Sequence, residues 1–372
     1  MKMRIGINAR RLAGQRLGIG RYTEYLLKYW NQMLMPSETV TLYLREALAE
    51  NEFQLSSAFK TKVLHPRLTG ALWENLLLPP RAGELDVLFC PSYTAPLMYK
   101  GPYVVANHST NEVEKGAHDW TYNWTYRPYY RRAALRADAV IVPCQTVKED
   151  IQKYYGVPED RIEIVMEGAD DSFQPITDEN ILRATREKYL GEDVPYVLFV
   201  GKHSQRRNVP LLLQAFAAAK KREKLPHKLL LMGPNIHGYP LDQMASDLGI
   251  ADSLVRTNPI FTDHRDIIPV YSAADLYAFP SAYEGYSLTV CEAMACGLPV
   301  VAANRAAVAE IAGGHGFLID EITEEALSDA IGKVLTDREL WADLRAKSLV
   351  RASQLRWETT AQQTLDILRK AA

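Results

Sequence analysis

Glu284-Gly-Tyr-Ser-Leu-Thr-Val-Cys-Glu292, continued without a break by Ala293-Met-Ala-Cys-Gly-Leu-Pro-Val-Val301, sets two carboxylates on one loop-and-helix unit with seven residues between them. Upstream, Ala274-Asp-Leu-Tyr-Ala-Phe-Pro-Ser281 reads as a short buried strand ending at Pro280 and Ser281. Residues 287–295 read as a helix stopped by Gly297 and Pro299. A strand, loop and helix in that order aim unpaired backbone N–H groups, and the positive end of the helix dipole, at whatever lies over the loop. That is a cradle for an anion, most often a phosphate. Glu284, at the loop start, can accept hydrogen bonds from sugar hydroxyls, and Glu292, over a helical turn further on, from a second polyol. Carboxylates on both sides of a phosphate site suggest a nucleotide sugar. Glutamates near a helix N-terminus also serve simply as caps and dipole partners, so the stretch must be weighed with the rest of the chain.

Working outward, short apolar runs alternate with longer amphipathic stretches, the pattern of parallel sheets with crossover helices. The first half offers strands at residues 4–8, 40–44, 87–90, 103–106, 139–143 and 162–165. The second half offers 196–201, 228–232, 254–256, 276–279 and 299–302. Between them, Glu167-Gly-Ala-Asp-Asp-Ser-Phe-Gln-Pro175 holds turn formers without periodicity and reads as a linker. The expected organisation is α/β, with a first Rossmann-like domain over 1–172 and a second over 173–352. A helix over 353–372, with Trp357 early in it, either crosses back to the first domain as a clasp or docks within the second. Doubly wound sheets bind ligands at the carboxyl ends of their strands, so two facing sheets predict a cleft between domains.

Composition narrows the partners. At 372 residues the chain is longer than one hydrophobic core usually serves. A formal net charge of −2 gives no global case for nucleic acid. Cys90, Cys144, Cys291 and Cys296 lack metal-ligand spacing and read as small buried residues of a reduced compartment. The first residues, Met-Lys-Met-Arg-Ile-Gly-Ile-Asn, read as a strand rather than a signal peptide. No apolar run reaches the roughly eighteen residues of a membrane span. The expectation is a cytoplasmic protein with room for a peripheral contact at the inner face of the membrane.

Other segments add candidates. Tyr196-Val-Leu-Phe-Val-Gly201 leads into three cations, Lys202, Arg206 and Arg207. Gly201 permits close approach of backbone to ligand, and Lys202 with Arg207 can bracket a diphosphate; a solvated basic loop is the plainer reading. Leu17-Gly18-Ile-Gly20 follows the first strand but lacks the third glycine of a dinucleotide fingerprint. His108 stands at a strand's carboxyl end, at the mouth of the expected cleft. The stretch from His118 to Arg132, with Trp120, Trp124, Tyr126, Arg127 and Arg131, suits a membrane interface, sugar stacking, a protein interface or plain helix packing.

Together these segments resemble the retaining glycosyltransferases of family 4, whose GT-B fold has two facing Rossmann-like domains. The most specific part runs from Asp275 to Ala303 and includes the Glu-Ala-Met-Ala-x-Gly-x-Pro-Val pattern from Glu292. Ala137-Asp138-Ala-Val-Ile-Val, Gly168-Ala-Asp170 and Trp357-Glu358 are similar too. The resemblance implies that Glu284 holds donor-sugar hydroxyls, that Gly285, Tyr286, Ser287 and Leu288 bind sugar and diphosphate, and that Glu292 binds the ribose. It implies further that Lys202 and Arg207, with the Gly201 loop, steady the leaving diphosphate, that His108 lies near the donor sugar, and that the Gly18 loop approaches the phosphates. This chain departs from the pattern at Ser287 and Thr289, where glycine and proline are common, and at Arg207, where lysine is usual. It departs also at Ser109, where aspartate is frequent, and at Glu167, where asparagine or proline is usual.

The expected activity is transfer of a hexose from GDP-mannose or a UDP-hexose to a glycan, lipid-linked or small-molecule hydroxyl. No Asp-x-Asp pair occurs, so the expectation is transfer without a metal ion or other cofactor. The loop Phe261-Thr-Asp-His-Arg265, near the expected base site, carries no decisive code; Trp73-Glu-Asn-Leu-Leu-Leu-Pro-Pro resembles a segment of bacterial hexosyltransferases for surface polysaccharides and tilts the donor toward GDP-mannose. Competing readings are a nucleotide-sugar epimerase, a phosphorylase, or a glycan-binding protein with a degenerate site.

Overall fold

Met3–Asn8 (β1) is buried from Ile5 onward and occupies the middle of a seven-stranded parallel sheet. Its partners are Glu38–Leu44 (β2), Phe59–Val63 (β3), Val87–Cys90 (β4), Tyr103–Ala106 (β5), Ala139–Val142 (β6) and Ile162–Ile164 (β7). The order is β3-β2-β1-β4-β5-β6-β7. The computed structural model describes residues 2–14, 18–49, 53–110, 120–259, 261 and 263–372. Leu17, His118 and Thr262, each in a candidate segment, lie outside the described residues, as do the side chains of Trp120 and Trp124.

Helix Ile19–Met33 buries Tyr22, Leu26, Leu27 and Trp30 along one face, the stripe a helix needs to cover a sheet. Helix Trp357–Ala371 packs beside it: Trp30 Nε1 donates to the Ala361 carbonyl at 2.8 Å, and the Trp357 ring lies 4.8 Å from Tyr25 and 5.7 Å from Tyr22. This helix therefore belongs to the first compact unit, Met1–Glu167 with Trp357–Ala372, and the second unit is Gly168–Arg356.

The second unit holds a six-stranded parallel sheet of Tyr196–Val200 (β8), Lys228–Met232 (β9), Leu254–Thr257 (β10), Leu276–Phe279 (β11), Val300–Ala303 (β12) and Phe317–Ile319 (β13). The order is β10-β9-β8-β11-β12-β13. β8, β11 and β12 are buried throughout, as strands covered on both faces must be. In each sheet the order in which strands are added reverses once, between β1 and β4 and between β8 and β11. Crevices at such reversal points, outside the carboxyl ends of the strands, are where doubly wound sheets hold ligands.

Two strands escaped the sequence reading, β3 and β13, and both are sheet edges. Phe59-Lys-Thr-Lys-Val63 has three exposed residues in five, and β13 is only three residues long. An edge strand needs neither a continuous apolar run nor length, so nothing in those stretches marked them.

Candidate functional site

At the β8/β11 reversal, the loop after β8 forms a single turn, Gln205–Arg207, and is stitched to the loop after β11. Ala282 N donates to the Arg206 carbonyl at 2.7 Å, and Asn208 Nδ2 to the Pro280 carbonyl at 2.9 Å. The stitching brings Glu284 under two guanidinium groups. Its Oε1 accepts from Arg207 Nε at 2.7 Å and from Ser281 Oγ at 3.0 Å; its Oε2 accepts from Arg206 Nη2 at 3.0 Å and Arg207 Nη2 at 3.3 Å. Burial works to raise the carboxyl's pKa, but Arg207 and Arg206 outweigh it and hold the group below the usual carboxylate range. Glu284 is 3% exposed, so the ion pairing is what makes a charge there tolerable.

Gly201 explains how Arg207 reaches. Its φ is +139°, and a Cβ at this position would stand 2.2 Å from Arg207 Nη1. The guanidinium also lies 5.6 Å from the Phe279 ring centroid, a cation–π placement. Lys202 is exposed, and its ammonium forms no ion pair among the described residues. The expected basic pair, Lys202 and Arg207, is thus a trio in which Arg206 shares the carboxylate. Sequence gave Arg206 no distinguishing mark from any other loop arginine.

Helix Leu288–Ala295 begins at Ser287, and no side chain caps it. Ser287 Oγ instead lies 3.1 Å from Thr289 Oγ1, which in turn accepts from Tyr277 OH at 2.9 Å. The two hydroxyls that depart from the family pattern therefore tie the loop to β11. Gly285 and Glu284 are buried, and Tyr286 and Leu288 are partly exposed along the same turn.

Glu292 belongs to a separate network. Its Oε1 lies 2.8 Å from His264 Nε2 and its Oε2 accepts from Tyr271 OH at 3.0 Å. Burial, then Glu292, pushes the Tyr271 hydroxyl well above its ordinary pKa, so the tyrosine stays a donor. Phe261-Thr-Asp-His-Arg265 thus does hold a partner of the predicted site, His264, although its spacing gave no code.

The first unit places Gly18 at the N-terminus of helix Ile19–Met33 with φ +30° and no capping side chain. His108 follows β5. Its Nδ1 lies 2.9 Å from Glu167 Oε1 and its Nε2 lies 3.0 Å from the Pro91 carbonyl, so both nitrogens are engaged inside this unit. A second buried carboxylate, Glu74, accepts from Asn8 Nδ2 at 2.6 Å, Thr94 Oγ1 at 2.9 Å and Tyr129 OH at 2.5 Å, and pairs with Arg10 at 3.0 Å. The sequence hint for it was a charged residue amid the apolar run from Trp73 to Leu78. All four cysteines are buried thiols outside any disulfide, and no described helix is long and apolar enough to cross a membrane.

Two parallel sheets, each with one reversal of strand order, with an arginine-paired carboxylate beside an uncapped helix in the second, define the GT-B class of glycosyltransferase architecture. The chain belongs to glycosyltransferase family 4: the family model described as Glycosyltransferase Family 4 matches residues 18–173, and that described as Glycosyl transferases group 1 matches residues 194–337. A D-inositol 3-phosphate glycosyltransferase of Corynebacterium urealyticum is 30% identical over 284 residues, covering 72% of this chain and 64% of the relative. An O-antigen chain mannosyltransferase B of Escherichia coli is 26% identical over 283 residues, covering 72% and 73%. The chain thus spans just under two thirds of the length of the first of these. Among solved structures, Anabaena HepE in complex with UDP-glucose has a TM-score of 0.76 at 19% identity, covering 99% of this chain and all of that one. Sucrose-phosphate synthase from Thermosynechococcus elongatus also has a TM-score of 0.76, at 20% identity over 99% and 98%. At these identities the likeness establishes the fold.

Proposed function

We propose that this chain transfers a hexose from a nucleotide-diphosphate sugar to a hydroxyl of a glycan, lipid-linked or small-molecule acceptor, with retention and without a divalent ion. The observation that carries the reading is Arg206 and Arg207 locked on Glu284 at the β8/β11 reversal, beside the uncapped start of helix Leu288–Ala295. Breaking a sugar–phosphate bond builds negative charge on the diphosphate. Lys202, Arg207 and the helix N–H groups offer fixed positive charge to it, which needs no reorganisation as the bond breaks. That supply replaces the one a metal ion makes in sites with paired aspartates. Retention with no dedicated nucleophile follows front-face attack, in which the departing phosphate oxygen takes the acceptor hydroxyl's proton.

Within this reading the backbone of Gly201 and of Gly285 to Leu288 follows the diphosphate and sugar. Glu292 receives the ribose hydroxyls, with Tyr271 and His264 fixing its carboxylate. All four acceptor positions of Glu284 are filled by protein donors, so the donor sugar's hydroxyls take over a bond that Arg206 or Ser281 now makes. GDP-mannose and UDP-hexoses are the donors of choice, in keeping with the mannosyltransferase and UDP-glucose names among the similar proteins. Four buried thiols suit a reduced, cytoplasmic compartment. Arg127, Arg131 and Arg132 are exposed on helix Trp120–Arg136 and are the contact offered to a lipid-linked acceptor or the membrane surface.

A thermal-shift panel of nucleotide sugars, followed by product analysis with the best binder in the presence and absence of a chelator, tests the proposal. A ligand at a hundred times its Kd stabilises by about 2.7 kcal/mol. Transfer to an acceptor hydroxyl that survives chelation is the expected result. Donor conversion with no acceptor would mean an epimerase, dependence on free phosphate a phosphorylase, and indifference to every nucleotide a glycan-binding protein.

A further inference from the structure

The segment from Gly70 to Leu78 is apolar on two sides. Trp73 and Leu78 are buried, yet Leu72 and Leu76, four residues apart, are 50% and 59% exposed. On the loop after β4, Leu97 and Met98 are 38% and 72% exposed. Exposed apolar residues scattered singly are ordinary, whereas a group of them in one place marks a surface that something covers.

Asn75 gathers these side chains on one face. Its Oδ1 accepts from Leu97 N at 2.8 Å, and its Nδ2 donates to Tyr129 OH at 3.0 Å. One side chain thus pins the leucine pair, the Leu97–Met98 loop and helix Trp120–Arg136 to one another. Glu74 fastens them from below: wholly buried, its carboxylate accepts from Tyr129 of that helix, from Thr94 of the loop after β4 and from Asn8 at the end of β1. The apolar tips therefore stand on a base braced by buried hydrogen bonds.

The charge around them has one sign. From Arg127 to Arg136 the helix carries four arginines and no acidic residue. Arg127, Arg131, Arg132 and Arg136 are exposed, and none forms an ion pair among the described residues. Arg132 and Arg136 line one small cavity with Leu97, which sets cations directly beside the apolar group. Lys100, two residues past Met98, is exposed as well.

We propose that this face docks on an anionic membrane surface. Leu72, Leu76, Leu97 and Met98 enter the boundary between headgroups and acyl chains, and the arginines sit over lipid phosphates. Arginine suits that depth, because its stem lies along apolar surface while the guanidinium stays with the headgroups. A second copy of this chain fits less well: pairing the face with itself would press arginines against arginines. The inference rests on the contact offered above for the arginines and adds the apolar tips and the lipid chemistry; it does not require that the chain transfer a sugar.

The test sediments the full chain with vesicles of phosphatidylcholine, with and without phosphatidylglycerol. Binding to the mixed vesicles, little to phosphatidylcholine alone, and release at high salt are expected. Replacing Arg127, Arg131 and Arg132 together by glutamine should weaken binding about a hundredfold, at about fivefold for each charge. Leu76→Ser with Met98→Ser leaves the charge unchanged and should weaken it by about tenfold or more. Both variants alter only exposed side chains, so their unfolding midpoints should match the wild type. Failure to sediment with the mixed vesicles, or undiminished binding by the serine variant, would overturn the proposal. A concentration-dependent dimer that the serine variant abolishes would assign the face to a second copy and overturn it equally. Transfer to a water-soluble acceptor should be the same in the serine variant and the wild type; its loss would place the two side chains in acceptor binding instead. Sedimentation of a protein that transfers no sugar would keep the docking and defeat only the transferase reading.

Discussion

Arg207 Nε donates to Glu284 Oε1 across 2.7 Å, at a carboxylate almost wholly withdrawn from water. The contact joins the turn after β8 to the loop after β11, so it serves both the shape of the site and its charge. Removing the carboxylate strands two guanidinium groups. Glu284→Ala should cost about 3–5 kcal/mol of stability in the second unit, read by urea unfolding, and should cut transfer by orders of magnitude. Lys202→Ala, which breaks no ion pair, should cut transfer without that loss of stability. Near-normal transfer rates in both variants would sink the assignment of this site.

Gly201→Ala separates geometry from charge. The new methyl would sit 2.2 Å from Arg207 Nη1 on a backbone at φ +139°, so the guanidinium must leave its place over Phe279. All the charges survive, yet donor turnover should fall by about a hundredfold. Unchanged kinetics would mean that Arg207 acts from some other position.

Tyr271→Phe removes one hydrogen bond to Glu292 and nothing else of size. Weaker binding of the free nucleotide diphosphate is expected, by about 1 kcal/mol, with turnover at saturating donor little changed. Isothermal titration with GDP and UDP reads the effect; a fall in turnover at unaltered affinity would place Glu292 in the chemical step instead.

Acid should loosen the second unit well above the carboxylate range. Burial, reinforced by Arg256 and Arg207, pushes His203 down to about 4, and burial with Lys220 does the same to His227. Both pKa values lie below the ordinary 6.5, so the unfolded chain binds protons first as pH falls. Their stability contribution is therefore complete above about pH 6.5 and is lost on the way down to about 4. At pH 5 each should have given up about 2 kcal/mol. Chemical unfolding of wild type and His203→Leu at pH 7.5 and about pH 5 checks this; the variant should show the shallower decline.

How much of this was legible beforehand depended on sequence distance. β8, β11 and β12 announced themselves as apolar runs because central strands are covered on both faces, and helix Leu288–Ala295 was framed by Ser287, Gly297 and Pro299. The carboxylate pair was visible because its spacing is local. What neither residue type nor local spacing encoded was who holds each carboxylate: Arg207 is 77 residues from Glu284, and Glu167 is 59 from His108. Glu167 was legible only as a departure from a pattern, and its partner emerged when the end of β5 and the end of the first stretch of chain met. Ser287 and Thr289 also read as irregularities, and turned out to be a hydroxyl relay onto Tyr277.

The first unit is built from two stretches of chain separated by the whole of the second. Trp30 and Tyr22 are covered by a helix that begins at Trp357, so during synthesis the first sheet leaves the ribosome with an apolar face still bare. It waits through 189 residues of the second unit, Gly168–Arg356, for its closing element. The second unit, contiguous in sequence, can fold without such delay. A ribosome stalled within the second unit would therefore hold a first domain whose helix groove is open, a state in which a chaperone or a supplied peptide of the last helix could occupy the place of residues 357–372.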